Sequence, residues 1–282
     1  MNAIEPATAL GLIADGLKSG HLIPYLGPGV LETGNADCPV PTTPRGLVER
    51  LTMKVGVPGR IRNNLWAAAQ YIETHRHRVT LTRILEEIFA PVPEPSALQL
   101  WLADLPDLPL IVDTWYDGSL ALALKGHANW GQVQGVTRHG ETLDIYYRAF
   151  DSSGEEVPVE KANDWSTLVY KPHGAVWPKG DFLVSDSDYV EALTEIDIQT
   201  PIPEVVRQIR AGRGFVFFGC RFYDQMLRTY ARQILKRSEG PHYAILPPDA
   251  ELTRNEEKFL LEMGITAIGI SLDVATDRLI AA

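Results

Sequence analysis

The sequence has few cysteines, and they support neither a disulfide framework nor a zinc site. Cys38 and Cys220 are the two cysteines in 282 residues. A structural zinc site takes four Cys or His ligands at short spacings, and no cysteine–histidine pair in this chain has such a spacing. We expect both cysteines to be small buried side chains in a reducing compartment, and we assign no metal-binding residues.

The sequence also lacks a basic excess and long apolar runs. Its 26 Lys and Arg are outnumbered by 36 Asp and Glu, which gives a net charge of −10. Non-specific nucleic-acid binding needs basic residues to neutralise phosphates, so we expect no nucleic-acid partner. No apolar stretch approaches the roughly 20 residues that span a bilayer, and the N-terminus has no signal-peptide pattern. We therefore expect a cytoplasmic protein without a membrane partner.

Strand-like apolar runs alternate with helical patterns along most of the chain. The runs lie at 21–26, 108–113, 167–171, 214–218, 242–246 and 265–270. Helical patterns include 7–18, a helix starting at Thr43-Pro44, 60–75, 79–90, 96–104, 118–124, 186–196, 202–211, 224–237 and 253–263. This alternation predicts an α/β fold, a doubly wound and mostly parallel sheet with helices on both faces.

One segment has a different pattern. Residues 130–160 alternate apolar and polar side chains, which is typical of short antiparallel strands. We interpret 125–165 as a small antiparallel β module inserted into a main domain formed by 1–124 and 166–282.

Four polar or glycine-bearing segments follow predicted strands. In doubly wound sheets, ligands bind outside the carboxyl ends of the strands, where such segments meet. Histidine is suited to proton transfer near neutral pH, and a glycine after it permits a sharp turn. The segments are Gly27-Pro28-Gly29-Val30, 113–117, His173-Gly174 and 219–224.

In their order and spacing, these segments resemble the SIR2-like (sirtuin-related) NAD-binding domains of bacteria. Residues 26–30 are similar to a strand followed by Gly-Ala-Gly-Val-Ser, and 67–73 to an Ala-Gln-Tyr helix. Residues 113–117 stand where the family has Thr-Thr-Asn-Tyr-Asp. Lys171-Pro172-His173-Gly174 is similar to Lys-Leu-His-Gly, and 219–224 to Gly-Tyr-Ser-x-x-Asp. The resemblance covers most of the chain outside 125–165.

The resemblance implies a Rossmann-like domain that binds NAD, in a family of which many members cleave the nicotinamide–ribose bond. Combined with motif position, it predicts catalytic roles for His173, Asp117 and Asp113. It predicts NAD contacts at nine positions: Gly27, Pro28, Gly29, Val30, Thr114, Trp115, Gly219, Cys220 and Arg221. For the two aspartates, helix capping and a bond to a neighbouring loop remain open as alternatives. For Arg221, a phosphate anchor and a solvated loop side chain are both open.

The departures from the family pattern bear on activity. Trp115 replaces the family's Asn, and indole has one donor and no acceptor. Pro28 replaces Ala and has no N–H to offer a phosphate. Leu31 and Arg221 each replace a serine.

Three hypotheses therefore stay open for the function. The first is an NAD hydrolase that uses His173. The second is a catalytically silent protein that binds NAD or ADP-ribose and regulates through a protein partner or a homo-oligomer. The third is an assembly subunit that uses the fold without a ligand. We do not expect protein deacetylase activity, since the deacetylases of the wider family carry a four-cysteine zinc site.

Overall fold

The computed structural model describes residues 5–33, 37–137, 145–189 and 202–282 of the chain. Its helices are α1 (Pro6–Lys18), α2 (Pro44–Lys54), α3 (Leu65–Arg76), α4 (Arg78–Phe89), α5 (Ala97–Ala103), α6 (Ser119–Ala123), α7 (Glu204–Arg210), α8 (Gln225–Leu235), α9 (Arg254–Glu262) and α10 (Leu272–Ala281). Its strands are β1 (Leu22–Leu26), β2 (Leu110–Asp113), β3 (Trp130–Gly135), β4 (Tyr147–Asp151), β5 (Glu156–Val157), β6 (Thr167–Lys171), β7 (Gly174–Ala175), β8 (Asp181–Phe182), β9 (Gly214–Phe218), β10 (His242–Leu246) and β11 (Ile265–Gly269).

Nine of these strands form one mixed sheet in the order β11-β10-β9-β1-β2-β6-β3-β4-β5. Every neighbouring pair from β11 to β3 is parallel. Strands β7 and β8 form a separate antiparallel pair. The predicted α/β fold with a mostly parallel sheet is therefore confirmed.

Helices cover both faces of the sheet, because alternate strand residues point to opposite sides. On one face, Leu22 and Leu26 of β1 pack in a cluster with side chains from α1, α5 and α10. On the other face, Ile23 and Tyr25 pack with side chains from α7, α8 and α9. A strand buried on both faces needs a continuous apolar run, which is the pattern that β1 shows.

Helices α2, α3 and α4 form a third apolar cluster of their own. It includes Trp115 and Tyr116 from the segment after β2 and Phe182 from β8. The α2–α4 layer thereby packs against the loop that follows β2. This places helical side chains beside the carboxyl ends of the central strands.

The predicted antiparallel strands in the 130–160 region are present as β3, β4 and β5. Strand β3 also pairs in parallel with β6 over Trp130–Gln134, so these strands extend the main sheet. The division of the chain into a main domain and an inserted module stays a prediction.

Local capping explains where several helices begin. The Thr43 side chain accepts a hydrogen bond from Gly46 N, so α2 starts at Pro44 as predicted. Helix α3 begins later than predicted because the Asn64 side chain caps it at Ala67 N. Residues 186–189 are helical, and the rest of the predicted helix at 186–196 lies outside the described residues. Within the described ranges, no helix is both long and apolar enough to cross a membrane.

Candidate ligand-binding site

A cavity of about 320 Å³ lies at the carboxyl ends of β1, β2, β6 and β9. All four segments predicted to surround a ligand contribute to its wall. Helices α2 and α3 and the loop before α2 also contribute to the wall. The lining residues that matter below are Gly27, Pro28, Gly29, Glu32, Trp66, Thr114, Trp115, Tyr116, His173, Gly219, Cys220, Arg221, Phe222 and Tyr223.

The two glycine turns at this cavity pack directly against each other. Gly27 N donates to Phe218 O at 2.8 Å, and Gly29 N donates to Gly219 O at 3.1 Å. A Cβ atom on Gly29 would stand 2.9 Å from Gly219 O, and one on Gly219 would stand 2.7 Å from Gly29 C. Gly219 also has φ +61°, which favours glycine. Close approach of the two backbones therefore explains why both turns carry glycine.

This packing leaves the first turn with little to offer a phosphate. The N–H groups of Gly27 and Gly29 are engaged, and Val30 N donates to Gly27 O at 3.2 Å. Pro28 has no N–H. Four residues of this turn were predicted to contact NAD. Gly27, Pro28 and Gly29 line the cavity, whereas Val30 is 2 % exposed and packs in the core. This turn can therefore contact a ligand through van der Waals packing but not through backbone N–H hydrogen bonds from residues 27–30.

The segment after β2 forms an aromatic wall. Thr114 donates from both N and Oγ1 to Leu26 O, at 3.0 and 2.8 Å, which fastens β2 to β1. Trp115 is 4 % exposed and donates its indole N–H to Pro41 O at 2.7 Å. Its ring packs edge-on against Phe89 with centroids 5.8 Å apart. Thr114 and Trp115 line the cavity with their polar side-chain groups already bonded to the protein.

Asp113 and Asp117, the two predicted catalytic carboxylates, are not among the residues that line the cavity. Asp113 accepts from Lys171 Nζ at 2.8 Å and from Trp115 N at 3.1 Å. Asp117 accepts from the N–H and the hydroxyl of Ser119 at the start of α6, and its carbonyl accepts from Lys171. Burial raises the pKa of Asp113, while the neighbouring Lys171 ammonium opposes that rise. Both carboxylates hold the shape of the loop that carries Trp115.

His173 is the predicted catalytic residue that reaches the cavity. Gly174 after it has φ +81°, and its backbone turns directly into the short strand β7. His173 is 3 % exposed, and its Nδ1 lies 2.9 Å from the Tyr189 hydroxyl. Nε2 has no hydrogen-bond partner among the described residues. Burial lowers the pKa of His173 to about 3, so its ring is neutral near pH 7.

Arg221 and Cys220 differ sharply in what they present to the cavity. Arg221 lines it and is held by Glu256 through two bonds, Nε to Oε1 at 2.9 Å and Nη2 to Oε2 at 3.1 Å. No hydrogen bond within the described ranges involves its Nη1. Cys220 is buried against Tyr25 O, and burial raises the pKa of its thiol. Cys220 therefore acts as packing, whereas Arg221 offers N–H donors.

Two residues of the site, Trp66 in the cavity wall and Glu256 behind Arg221, were not predicted from the sequence. Trp66 comes from α3, and nothing in its helical pattern distinguishes it from a core residue. Glu256 was not singled out either, although Thr253 and Glu256 form a capping box that the spacing Thr-x-x-Glu indicates. Glu256 also holds Arg221, and this contact forms only because the fold brings α9 close to the loop after β9. In the parts of the chain that are described, no group of three or more His, Cys, Asp or Glu residues is placed to hold a metal ion.

Comparison with known proteins adds one finding. A search of curated protein sequences yields no match to the chain. The profile of the SIR2-like domain family matches residues 109–268, which is more than half of the chain. The matched range includes β2, His173 at the end of β6, and the second glycine turn after β9. The chain therefore belongs to the SIR2-like domain family, whose members typically bind NAD.

Proposed function

We propose that the chain binds NAD or ADP-ribose in the cavity at the carboxyl ends of β1, β2, β6 and β9. The observation that carries this proposal is that two lining residues each have a nitrogen without a hydrogen-bond partner among the described residues, His173 at its buried Nε2 and Arg221 at Nη1. They follow β6 and β9, which are separated by β2 and β1 in the sheet. At about 4.8 Å per strand, the ends of β6 and β9 are roughly 14 Å apart, a span that suits an extended nucleotide.

Arg221 is the group best placed to hold a phosphate. Besides the guanidinium of Arg221, the Glu256 carboxylate accepts from Phe222 N at 3.0 Å and from Thr253 N at 3.0 Å, which fixes its position. The ion pair therefore fixes the guanidinium and leaves its Nη1 edge available. Guanidinium bonds to phosphate are charge-assisted, which makes them stronger than neutral hydrogen bonds. Arg221 thereby compensates for the engaged amides of the first glycine turn.

The remaining wall of the cavity suits the flat rings of a nucleotide. Six aromatic side chains line it: Tyr25, Trp66, Trp115, Tyr116, Phe222 and Tyr223. Aromatic faces pair favourably with planar heterocycles. A volume of about 320 Å³ falls at the lower end of the range of ~300–1,000 Å³ common for ligand pockets. Glu32, an acidic residue on the wall, selects against placing a phosphate beside α2.

Hydrolysis of the nicotinamide–ribose bond is the second candidate function, and the position of His173 after β6, beside the cavity, favours it. Hydrolysis adds water across this bond, and a neutral imidazole can accept the proton that the water gives up. Burial lowers the pKa of His173 to about 3, which makes the ring a weak base and counts against this step. Trp115 opposes it, since the indole replaces an Asn and its N–H is already bonded to Pro41 O. Release of free nicotinamide by the wild-type protein, lost in His173→Ala with ADP-ribose binding retained, would support this candidate.

A silent protein that binds the nucleotide and regulates through a partner or a homo-oligomer is the alternative that Trp115 and Pro28 favour. In this case NAD would bind and leave unchanged. The proposal places either activity in the cytoplasm, where cysteines such as Cys38 and Cys220, both unpaired here, remain reduced.

Calorimetric titration with ADP-ribose and with NAD tests the proposal. Arg221→Ala removes the phosphate anchor, and we expect it to weaken ADP-ribose binding by about 10- to 150-fold, since hydrogen bonds to charged groups contribute ~1.5–3 kcal/mol. Arg232→Ala is a control for removal of a paired arginine outside the cavity. Its glutamate partner is exposed whereas Glu256 is buried, so circular dichroism must also show that Arg221→Ala is folded. Arg232 also pairs with a glutamate, at 2.8 Å from Glu262, but does not line the cavity. Equal affinity of both variants and the wild-type protein would remove Arg221 from the site.

A further inference from the structure

Tyr189 is hydrogen-bonded to His173, the histidine that lines the cavity. Its Oη lies 2.9 Å from His173 Nδ1 and 3.2 Å from Leu183 O. Leu183 O also accepts from the Tyr116 hydroxyl at 2.8 Å. All of these residues are buried, so water does not compete freely for the bonds. The arrangement of protons in this small network decides what His173 presents to a ligand.

Two arrangements of the protons are consistent with these distances. In the first, Tyr189 donates to His173 Nδ1, and the ring proton is on Nε2. This N–H then has no hydrogen-bond acceptor among the described residues. In the second, Tyr189 donates to Leu183 O, and His173 Nδ1–H donates to the Tyr189 oxygen. The carbonyl oxygen has two lone pairs, so it accommodates Tyr116 and Tyr189 together.

The second arrangement contains one more hydrogen bond than the first. It also leaves a bare acceptor at Nε2, and buried N–H groups without a partner are rarer in proteins than under-satisfied acceptors. Burial lowers the pKa of His173 to about 3 and raises that of Tyr189, so the ring is neutral and the hydroxyl keeps its proton. One nitrogen of the ring therefore carries a proton and the other does not.

We propose that Tyr189 is a positioning residue that holds His173 in the tautomer protonated on Nδ1, so that bare Nε2 is the hydrogen-bond acceptor of the cavity. The recognised group is then a donor, a hydroxyl or N–H of the ligand or a water molecule. Only the identity of that ligand rests on the proposed function. A ligand group that merely accepts hydrogen bonds is selected against at this position.

Long-range ¹H–¹⁵N correlation spectra of the histidine-labelled protein read the tautomer directly and need no ligand. His173→Asn identifies the signal by its disappearance. We expect Nδ1 protonated and Nε2 bare in the wild-type protein, with a shift toward protonated Nε2 in Tyr189→Phe. Tyr170→Phe is the control, because it removes a buried hydroxyl that is bonded to Tyr230 and to neither His173 nor Tyr189, and it should keep the wild-type pattern. A protonated Nε2 in the wild-type protein overturns the proposal, as does an identical tautomer in Tyr189→Phe.

Titration with ADP-ribose tests the consequence for recognition. Tyr189→Phe retains the ring that packs against Trp66 at 4.5 Å between centroids, so it preserves the shape of the wall. We expect it to weaken binding by about 3- to 10-fold, as for loss of one net hydrogen bond. Unchanged affinity would refute the acceptor role in recognition. If the wild-type protein binds no ADP-ribose, the proposed function fails, while the spectra still decide the tautomer.

Discussion

Replacing Gly219 with alanine tests whether the two glycine turns at the cavity are fitted to each other. An alanine at φ +61° is strained by about 1–2 kcal/mol. Its Cβ would also press on the backbone of Gly29, 2.7 Å away, and of Val30, and such overpacking costs about 1–3 kcal/mol. We therefore expect Gly219→Ala to lower the free energy of unfolding by about 2–5 kcal/mol, the sum of these two contributions.

Gly212→Ala separates the two contributions. Gly212 has φ +72°, but a Cβ atom there would meet nothing within 4 Å. We expect it to cost only the strain of about 1–2 kcal/mol. Urea denaturation followed by circular dichroism gives both unfolding free energies. An unchanged slope of that free energy against urea concentration shows that the substitution changed only stability. Equal destabilisation by the two substitutions would show that the turns do not press on each other, and their glycines would need another explanation.

Three further predictions concern single residues around the cavity. Lys171→Met leaves the buried Asp113 carboxylate without its counter-ion and should lower the free energy of unfolding, measured by urea denaturation, by about 3–5 kcal/mol. The control Lys161→Met breaks an exposed ion pair and should lower it by less than about 1 kcal/mol. His173 has a pKa of about 3 when folded and about 6.5 when unfolded, so the unfolded chain takes up a proton first as the pH falls. Between about pH 6 and pH 4, the unfolding free energy of the wild-type protein should therefore drop relative to His173→Gln by roughly 1.4 kcal/mol per pH unit; a constant difference would contradict the neutral buried ring. Trp115→Phe loses the bond to the neighbouring loop carbonyl and should cost about 1–3 kcal/mol by the same denaturation assay, and an unchanged midpoint would contradict a structural role for that bond.

The sequence predicted the sheet well because its strands are buried on both faces. Continuous apolar runs such as Leu22–Leu26 and Gly214–Phe218 have few alternatives to a central parallel strand. Strand β3 was predicted as a strand, but its pairing with β6 was not predicted. It lies beside β6 in the main sheet, and such a pairing between distant segments leaves no local signal. The periodicity of apolar residues identifies a strand but does not show which strand it pairs with.

The candidate site was predictable in its position but not in its bonds. Residues at strand ends, such as His173 and Arg221, follow from motif position and the rule for parallel sheets. Their partners, Tyr189 and Glu256, come from other elements of the chain, and only the fold brings them together. For Asp117, the sequence left capping and catalysis open, and the structure shows its carboxylate bonded to Ser119.

Native mass spectrometry of the purified chain after incubation with NAD tests the central claim most directly. Binding of the nucleotide in the cavity predicts a mass gain equal to one NAD, reduced in Arg221→Ala and retained in Arg232→Ala. A gain equal to ADP-ribose, together with free nicotinamide, would assign the hydrolase activity as well. Absence of any gain with either NAD or ADP-ribose would contradict the proposed function.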